Sequence, residues 1–556
     1  MKRWHKILLF FLAFFGILLF SLWVYLSWVL EPPIPKVVST KFSTIERVKA
    51  GENYYTLGNN FLRQNEFGIW EEYVQGEAFE RGVVLGKLNK ELLYKQEAAF
   101  VEQINKLIPN KKYQRFLAYF TRFFNRELSN HFPLENQKEI YGESLAAPHE
   151  FDYIAAPFDR MLNYHAAHDI GHALQNFALV GCTSFGIWGN RVDDSSMIIG
   201  RNLDFSLGDK FAEDKIVLFM KPDSGYRFAM VTWAGFMGCV SGMNEHGLTV
   251  TINAAKSDIP TKAATPIALV ARQILQYAKN IDEAFSIAQQ HQTFVCETFM
   301  IGSAADNATA LIEKSIAQTV LFKSDTNFVV CANHYQSKAF ENDKANIENI
   351  KTSTSLYRQL HTLELMHQTP KFSAESVSSL LRNQKGLHEK NIGIGNEKAI
   401  NQLISHHAVM FKPKQRLMWV SANPYQLGTF VCYDLKKVFD SQNFSTSASL
   451  SSPELNVAAD TFLLSPEWKK FLDFKAMKQT ILQATAQKQL LPNEQIFIEK
   501  FIQSNPQLWE TYSIVGNYYF AQSKNATAKK YISQALQLDV SSKQEEEKLK
   551  SLMQSL

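Results

Sequence analysis

Cys182 directly follows a glycine and precedes two hydroxyl residues, in "GCTS", and Arg201 and Asp204 follow in "GRNLDF". A thiol attacks a carbonyl only as its thiolate. If the Gly181–Cys182 peptide bond were broken, Cys182 would gain an α-amino group. Such an amine has an ordinary pKa of about 7.7–8.0, so it can act as general base for its own side chain. Gly181 has no side chain, which leaves its carbonyl open to the thiol. Thr183 and Ser184 can donate hydrogen bonds around the new terminus. Arg201 favours a thiolate or clamps a polar substrate. Asp204 supplies a carboxylate that can hold the α-ammonium.

Each of these residues also has a plainer reading. A cysteine is often just a small buried side chain. Cys239, Cys296, Cys331 and Cys432 lie in apolar runs and read that way. An odd number of scattered cysteines without a CxxC pair argues against a disulfide scaffold or a zinc ribbon. Arg201 and Asp204 would serve equally as a structural ion pair. In "HAAHDIGH", His165, His168 and His172 share a helical face beside Asp169, but the HExxH order of a metal site is missing. A helix packed near Cys182 is expected there, with no metal. His246 and His406–His407 read as turn and strand-end residues.

Two further stretches, "GFMGCVSGMNEHGLTVTINA" and "VVCANHY", follow in order. With them the chain resembles the N-terminal nucleophile hydrolases that use cysteine. Among these it is most similar to the penicillin acyltransferase-like family (acyl-coenzyme A:isopenicillin-N acyltransferase and its bacterial relatives). More distantly it resembles bile-salt hydrolase, acid ceramidase and N-acylethanolamine acid amidase. The resemblance covers about 76–435. It implies an α+β fold, a four-layer αββα sandwich, with self-cleavage between Gly181 and Cys182. It implies that Cys182 attacks an amide or thioester, with Arg201 and Asp204 as the paired polar residues. It also implies that Asn253, through backbone or side chain, and Asn333 hold the oxyanion. Losing one such donor costs about a hundredfold or more in rate. The polar insert "WGNRVDDSS" departs from the amidase relatives, and the second arginine of some relatives has a candidate only in Arg358. No cofactor is implied, though acyl-coenzyme A would enter as a cosubstrate.

The elements that must position these residues follow from the rest of the chain. Of 556 residues, 46% are hydrophobic and 20% charged, which fits folded domains, two or three of them. A net charge of +4 without a basic stripe argues against nucleic acid. The basic start "MKRWHK" is followed by an uncharged run from Ile7 to Leu30, long enough to cross a core of about 30 Å as a helix. It is too long for a signal peptide and lacks a small-x-small site. Residues 1–31 are therefore expected to be a single-pass membrane anchor, with the catalytic part extracytoplasmic. Residues 32–181 read as mainly helical. Residues 182–440 form the hydrolase core, with short apolar strands such as "KIVLFMK" and "HAVMFKP". The Ser/Thr-rich stretch 441–460 reads as a linker. Residues 461–556 read as helical, with Tyr512, Val515, Gly516, Tyr519, Ala528, Ile532 and Ala535 at the spacing of one tetratricopeptide repeat. A single repeat cannot bury its own face. It must pack on neighbouring helix or core, or take a protein partner.

The expected function is a self-processing cysteine amidohydrolase or acyltransferase acting on N-acyl amides through a Cys182 thioester. The substrate is expected to be lipid-like, because an anchor would hold the site near a bilayer. The competing reading is an inactive, membrane-tethered interaction protein that works through its C-terminal repeat.

Overall fold

The computed structural model describes the chain except for residues 1–3, 5–6, 8–9, 19, 22–30, 38–40, 174–179, 206–207, 257–262 and 441–447. The strands are Val48–Gly51 (β1), Tyr54–Leu57 (β2), Asn60–Gln64 (β3), Trp70–Gly76 (β4), Val180–Trp188 (β5) and Met197–Phe205 (β6). Then come Ile216–Pro222 (β7), Phe228–Thr232 (β8), Ser241–Asn244 (β9), Leu248–Ala254 (β10), Glu297–Ser303 (β11) and Ala308–Lys314 (β12). Thr319–Lys323 (β13), Phe328–Cys331 (β14), Ser405–Lys412 (β15), Leu417–Ser421 (β16) and Phe430–Asp434 (β17) complete the set.

These strands form two sheets. One has 11 strands in the order β1-β2-β3-β4-β7-β8-β9-β10-β11-β12-β13, and the other has 6 in the order β14-β5-β6-β15-β16-β17. Side chains alternate across a strand, so each sheet has two faces to cover. The inner faces cover each other: Val217, Phe219 and Val231 of the larger sheet share a core with Ile199, Val409 and Phe411 of the smaller. The approach is close at Gly302, where a Cβ would lie 2.1 Å from Ile199 Cδ1. Helices cover both outer faces. Ala78–Leu88, Leu134–Ser144, Ile267–Tyr277 and Ile281–Gln290 pack on the larger sheet. Ser355–Gln368 and Ala374–Leu381 pack on the smaller through Met366, Val377 and Leu381. The architecture is α+β, with layers in the order helix, sheet, sheet, helix.

Three sequence expectations change. Residues 32–181 are not mainly helical from the start, because β1 to β4 come first and β4 pairs in parallel with β7. The aromatic and β-branched residues of "NYYTLGNNFLRQ" and the turn glycine Gly58, at φ +60°, favour a hairpin over a helix. The single-pass membrane localisation is overturned: no helix among the described residues is long and apolar enough to cross a membrane. Hydropathy says only what a spanning helix would be made of, whereas crossing needs about twenty continuous helical residues. Much of Ile7–Leu30 lies outside the described residues. The positional argument for a lipid-like substrate goes with the anchor. Finally, the described part of 441–460 packs on the core. Val457 pairs with Phe430, and Trp419 Nε1 donates to Leu455 O at 2.7 Å.

The C-terminal helices Pro466–Gln487, Glu494–Ser504, Trp509–Ala521, Asn525–Leu536 and Lys543–Ser555 share one apolar cluster. Val515, Ala528, Ile532 and Ala535 are fully buried in it. Leu403 and Leu427 of the sheet-bearing part belong to the same cluster.

Candidate active site

β5 and β6 form an antiparallel hairpin, and its register sets the site. Cys182 pairs with Leu203, Ser184 with Arg201, and Gly181 with Asp204. Alternation puts Arg201 on the face that meets the other sheet, with Cys182 as its diagonal neighbour across the pair. Asp204, three residues from Arg201, lies on the opposite face. Among the described residues the two form no ion pair, so the structural-pair reading of Arg201 and Asp204 has no support.

Cys182 is 1% exposed and each of its polar groups has a partner. Its N–H donates to Asn333 Oδ1 at 2.9 Å. Its carbonyl accepts from Arg358 at 2.5 Å. Its Sγ accepts from Arg201 at 3.6 Å. Arg358 also donates to Thr183 Oγ1 at 2.8 Å and to Asn333 Oδ1 at 2.6 Å. Arg358 lies in the first turn of Ser355–Gln368, which crosses the hairpin from outside. Its sequence context, "TSTSLYRQL", carries little signal, yet the fold brings it into direct contact with Cys182.

The two asparagines differ. Asn333 Nδ2 donates to Ala254 O at 2.8 Å, while its Oδ1 faces Cys182. Its backbone N–H donates to Ser355 Oγ at 2.7 Å, and that oxygen also meets His334 Nδ1 at 2.7 Å. Asn253 Nδ2 donates to Cys331 O and Ala332 O, both at 3.0 Å, and its Oδ1 accepts from Ser184 Oγ at 3.1 Å. Both of its amide hydrogens are committed, so its side chain has none left for an oxyanion.

Burial dominates the electrostatics. It pushes the Cys182 thiol up, against the pull of Arg201, and Asp204 adds to the rise. Burial takes Asp204 up to about 7, although the Ser405 hydroxyl, Arg358 and Arg201 all favour its charged form. Ser405 Oγ donates to Asp204 Oδ1, and Gln402 Nε2 donates to Oδ2 at 3.2 Å.

Sequence reasoning missed a buried chain behind Arg201. Arg201 donates to Ser241 Oγ at 2.9 Å and to Ile252 O at 2.6 Å. Ser241 Oγ lies 3.0 Å from His407 Nε2, and His407 Nδ1 lies 2.8 Å from His406 Nδ1. A guanidinium only donates, so the Ser241 hydroxyl accepts from Arg201 while it shares a hydrogen bond with His407 Nε2. The chain ends at His406 Nε2. That atom has no hydrogen-bond partner and its ring packs against Trp233 and Phe211. Burial, with Lys215 and Arg201 adding to it at His406, holds both histidines well below their ordinary pKa and therefore neutral. The only sequence signal was three polar residues, "SHH", heading an apolar strand.

The other histidine motif is structural where it is described. His165 accepts from Met237 N at 2.8 Å through Nε2 and meets Met161 O at 2.7 Å through Nδ1. The side chains of His168, Asp169 and His172 lie outside the described residues.

Residues 190–424 match the acyl-coenzyme A:6-aminopenicillanic acid acyl-transferase family. The resemblance drawn from the motifs is borne out. The matched stretch holds Arg201, Asp204, Asn253, Asn333 and Arg358 and begins after Cys182. Among curated proteins the chain is similar to protein dcd1B of Dictyostelium discoideum, 24% identical over 303 residues, covering 50% of this chain and 56% of that one. Protein dcd1A of the same organism is 25% identical over 169 residues, covering 28% and 38%. The chain thus spans little more than half of dcd1B and less of dcd1A. Two solved structures are similar at a TM-score of 0.31. One is the Caenorhabditis elegans N-acylethanolamine-hydrolyzing acid amidase ortholog, at 14% identity, covering 42% of this chain and 93% of that one. The other is a mutant conjugated bile acid hydrolase from Clostridium perfringens, at 12% identity, covering 48% and 96%.

Proposed function

We propose that the chain is a self-processing cysteine amidohydrolase or acyltransferase that forms a thioester on Cys182. The observation that carries this reading is the grip on Cys182: its N–H, its carbonyl and its Sγ are each held by a different side chain. Any buried backbone finds partners, but a structural cysteine needs no guanidinium on its sulfur. The thiol attacks the Gly181 carbonyl and gives up its proton. The C–N bond breaks, the Cys182 nitrogen takes a proton, and the acyl group is left on sulfur. Water then hydrolyses the thioester and frees Cys182 as an N-terminus.

The released α-amine stays beside Asn333 Oδ1, which already receives its N–H. From there it accepts the thiol proton as Cys182 attacks an N-acyl amide or acyl thioester. In this reading the amide hydrogen of Asn333 not given to Ala254 O would meet the developing oxyanion, and Arg201 stabilises the thiolate. Water completes hydrolysis, and an amine completes acyl transfer. The domain limits that go with this reading are a core over 182–440 and a helical unit over 461–556.

The test is the purified full-length chain on a denaturing gel with N-terminal sequencing. The expected result is two fragments, the larger starting Cys-Thr-Ser. Cys182→Ala should stay whole and inactive. Cys182→Ser should cleave slowly, because its hydroxyl proton is far harder to remove. An active preparation without a Cys182 terminus refutes the mechanism.

A further inference from the structure

Asp204 and Gly181 are reached by a strap of irregular chain, 390–404, and the first residue of β15, and the strap lies between the small sheet and the C-terminal helices. On its site side, Gln402 Nε2 donates to Asp204 Oδ2 at 3.2 Å, and Ser405 binds Oδ1. The same Gln402 amide packs on Gly181, where a Cβ would lie 3.0 Å from Nε2. Gln402 therefore touches both the residue before the scissile bond and the carboxylate opposite it.

On its other side the strap is tied to the C-terminal helices. Ile394 and Asn505 exchange two hydrogen bonds: Ile394 N donates to Asn505 Oδ1 at 3.2 Å, and Asn505 Nδ2 to Ile394 O at 2.8 Å. Asn396 Nδ2 donates to Asp539 O at 2.9 Å, and Lys390 pairs with the Asp539 carboxylate at 2.6 Å. Gly393, at φ +85°, lets Leu508 approach so closely that a Cβ would lie 2.5 Å from its Cα. Leu403, next to Gln402, is buried in the apolar cluster of the C-terminal helices with Phe471 and Phe474. Such a strap carries few backbone bonds of its own, so its path depends on what it packs against.

We infer that Gln402 is a positioning residue for the Gly181–Cys182 bond and that the C-terminal helices hold it in place. The inference rests on the self-cleaving reading of Cys182. It gives the C-terminal unit a role inside the chain. The face formed by Leu508, Phe471 and Asn505 is occupied by the strap itself, and no outside partner is needed to cover it.

The experiment uses the full chain and follows the rate at which the fragments appear. Gln402→Met keeps the bulk against Gly181 and removes the donor to Asp204. A misplacement of about 1 Å at a reacting centre costs about a hundredfold, and cleavage should slow by about that factor. Its pH midpoint should rise, because losing a donor to the charged form raises the Asp204 pKa. The charged and titratable groups around Asp204 are Arg201 on its own strand, Arg358 on the crossing helix and Cys182 on β5. Gly181→Ala should also slow cleavage, and Gln402→Ala added to it should restore part of the rate. Asn505→Ala cuts the tie at a distance and should slow cleavage with an unchanged Gln402. If the wild-type chain cleaves and Gln402→Met cleaves at the same rate and pH midpoint, the positioning role is wrong. If Gln402→Met is slow but Asn505→Ala is not, the helices do not hold the strap and that half of the inference is wrong. A wild-type chain that stays whole overturns the self-cleavage reading and the inference with it.

Discussion

Asp204→Asn is expected to stabilise the uncleaved chain at pH 8 while impairing its chemistry. The cause is the cost of holding a carboxylate where burial takes its pKa from 3.8 to about 7. An acid whose pKa rises on folding binds its proton more tightly in the folded chain. Its contribution favours the folded state at low pH and is lost as the pH climbs from about 4 to about 7. At about 1.36 kcal/mol per pH unit, ionising Asp204 in place withholds about 4 kcal/mol at pH 8. Asparagine has nearly the same shape, accepts from Ser405 and carries no charge. It should recover most of that energy at pH 8, and the gain should fade as the pH drops towards 4.

For a domain of 150–250 residues about 1 kcal/mol moves the melting temperature by about 2–4 °C. The gain at pH 8 should therefore be about 10 °C. The comparison is made in a Cys182→Ala background, so that both chains stay whole. Glu72 and Glu143 are buried carboxyls whose pKa is also raised, so only the difference between the two chains isolates Asp204. Melting curves by calorimetry at pH 8, 6 and 4.5 provide the readout. A lower melting temperature for Asp204→Asn at pH 8, or a gain that does not vary with pH, would refute the reasoning.

Two further outcomes follow from the contacts of the site. Arg358→Ala should slow the appearance of fragments on denaturing gels by about 10²–10³-fold, the usual cost of losing a preorganised donor. Arg358→Lys should recover little, because a point charge cannot span Cys182 O, Thr183 Oγ1 and Asn333 Oδ1 together. Ser241→Ala removes the hydroxyl between Arg201 and His407 and should slow cleavage by about tenfold, the worth of one hydrogen bond of about 1.5 kcal/mol. Its cleavage–pH profile should move upward, since a loosened Arg201 holds the thiolate less well. An unshifted profile assigns Ser241 to packing alone.

What the sequence made legible, and what it did not, divides along a physical line. Local pattern identified the strands that became β6 to β8, β10 to β12 and β14 to β17, because short β-branched and aromatic runs between turn residues need no tertiary information. Cys182, Arg201 and Asp204 were legible because they sit on one hairpin, where sequence spacing sets spatial spacing. Gln402 and Ser241 reach the same centre from separate segments, where no local pattern records a contact across that much chain, and Arg358 was reached only through the family resemblance. The uncharged run at Ile7–Leu30 shows the converse limit: composition was plain, and the described structure still holds no spanning helix.

The uncleaved site also shows why the bond beside Cys182 has to break before substrate chemistry begins. In this state the thiol is pushed up by burial, the two histidines are neutral, and the charges acting on Sγ are Arg201, Asp204, Glu297 and Arg358 in that order. Among the described residues the hydrogen-bond partner of Sγ is Arg201, which only donates; self-cleavage passes the thiol proton to the departing Cys182 nitrogen, and turnover on substrate still needs a base. Cleavage supplies the missing base at the one atom already positioned for it, the Cys182 nitrogen on Asn333 Oδ1 at 2.9 Å. The new ammonium also adds positive charge beside the pair of Gly181 and Asp204. That charge favours ionised Asp204 and lowers its pKa from about 7. A carboxylate that is costly to ionise in the whole chain therefore becomes easier to ionise in the cut one, so cutting both creates the base and stabilises its counter-charge.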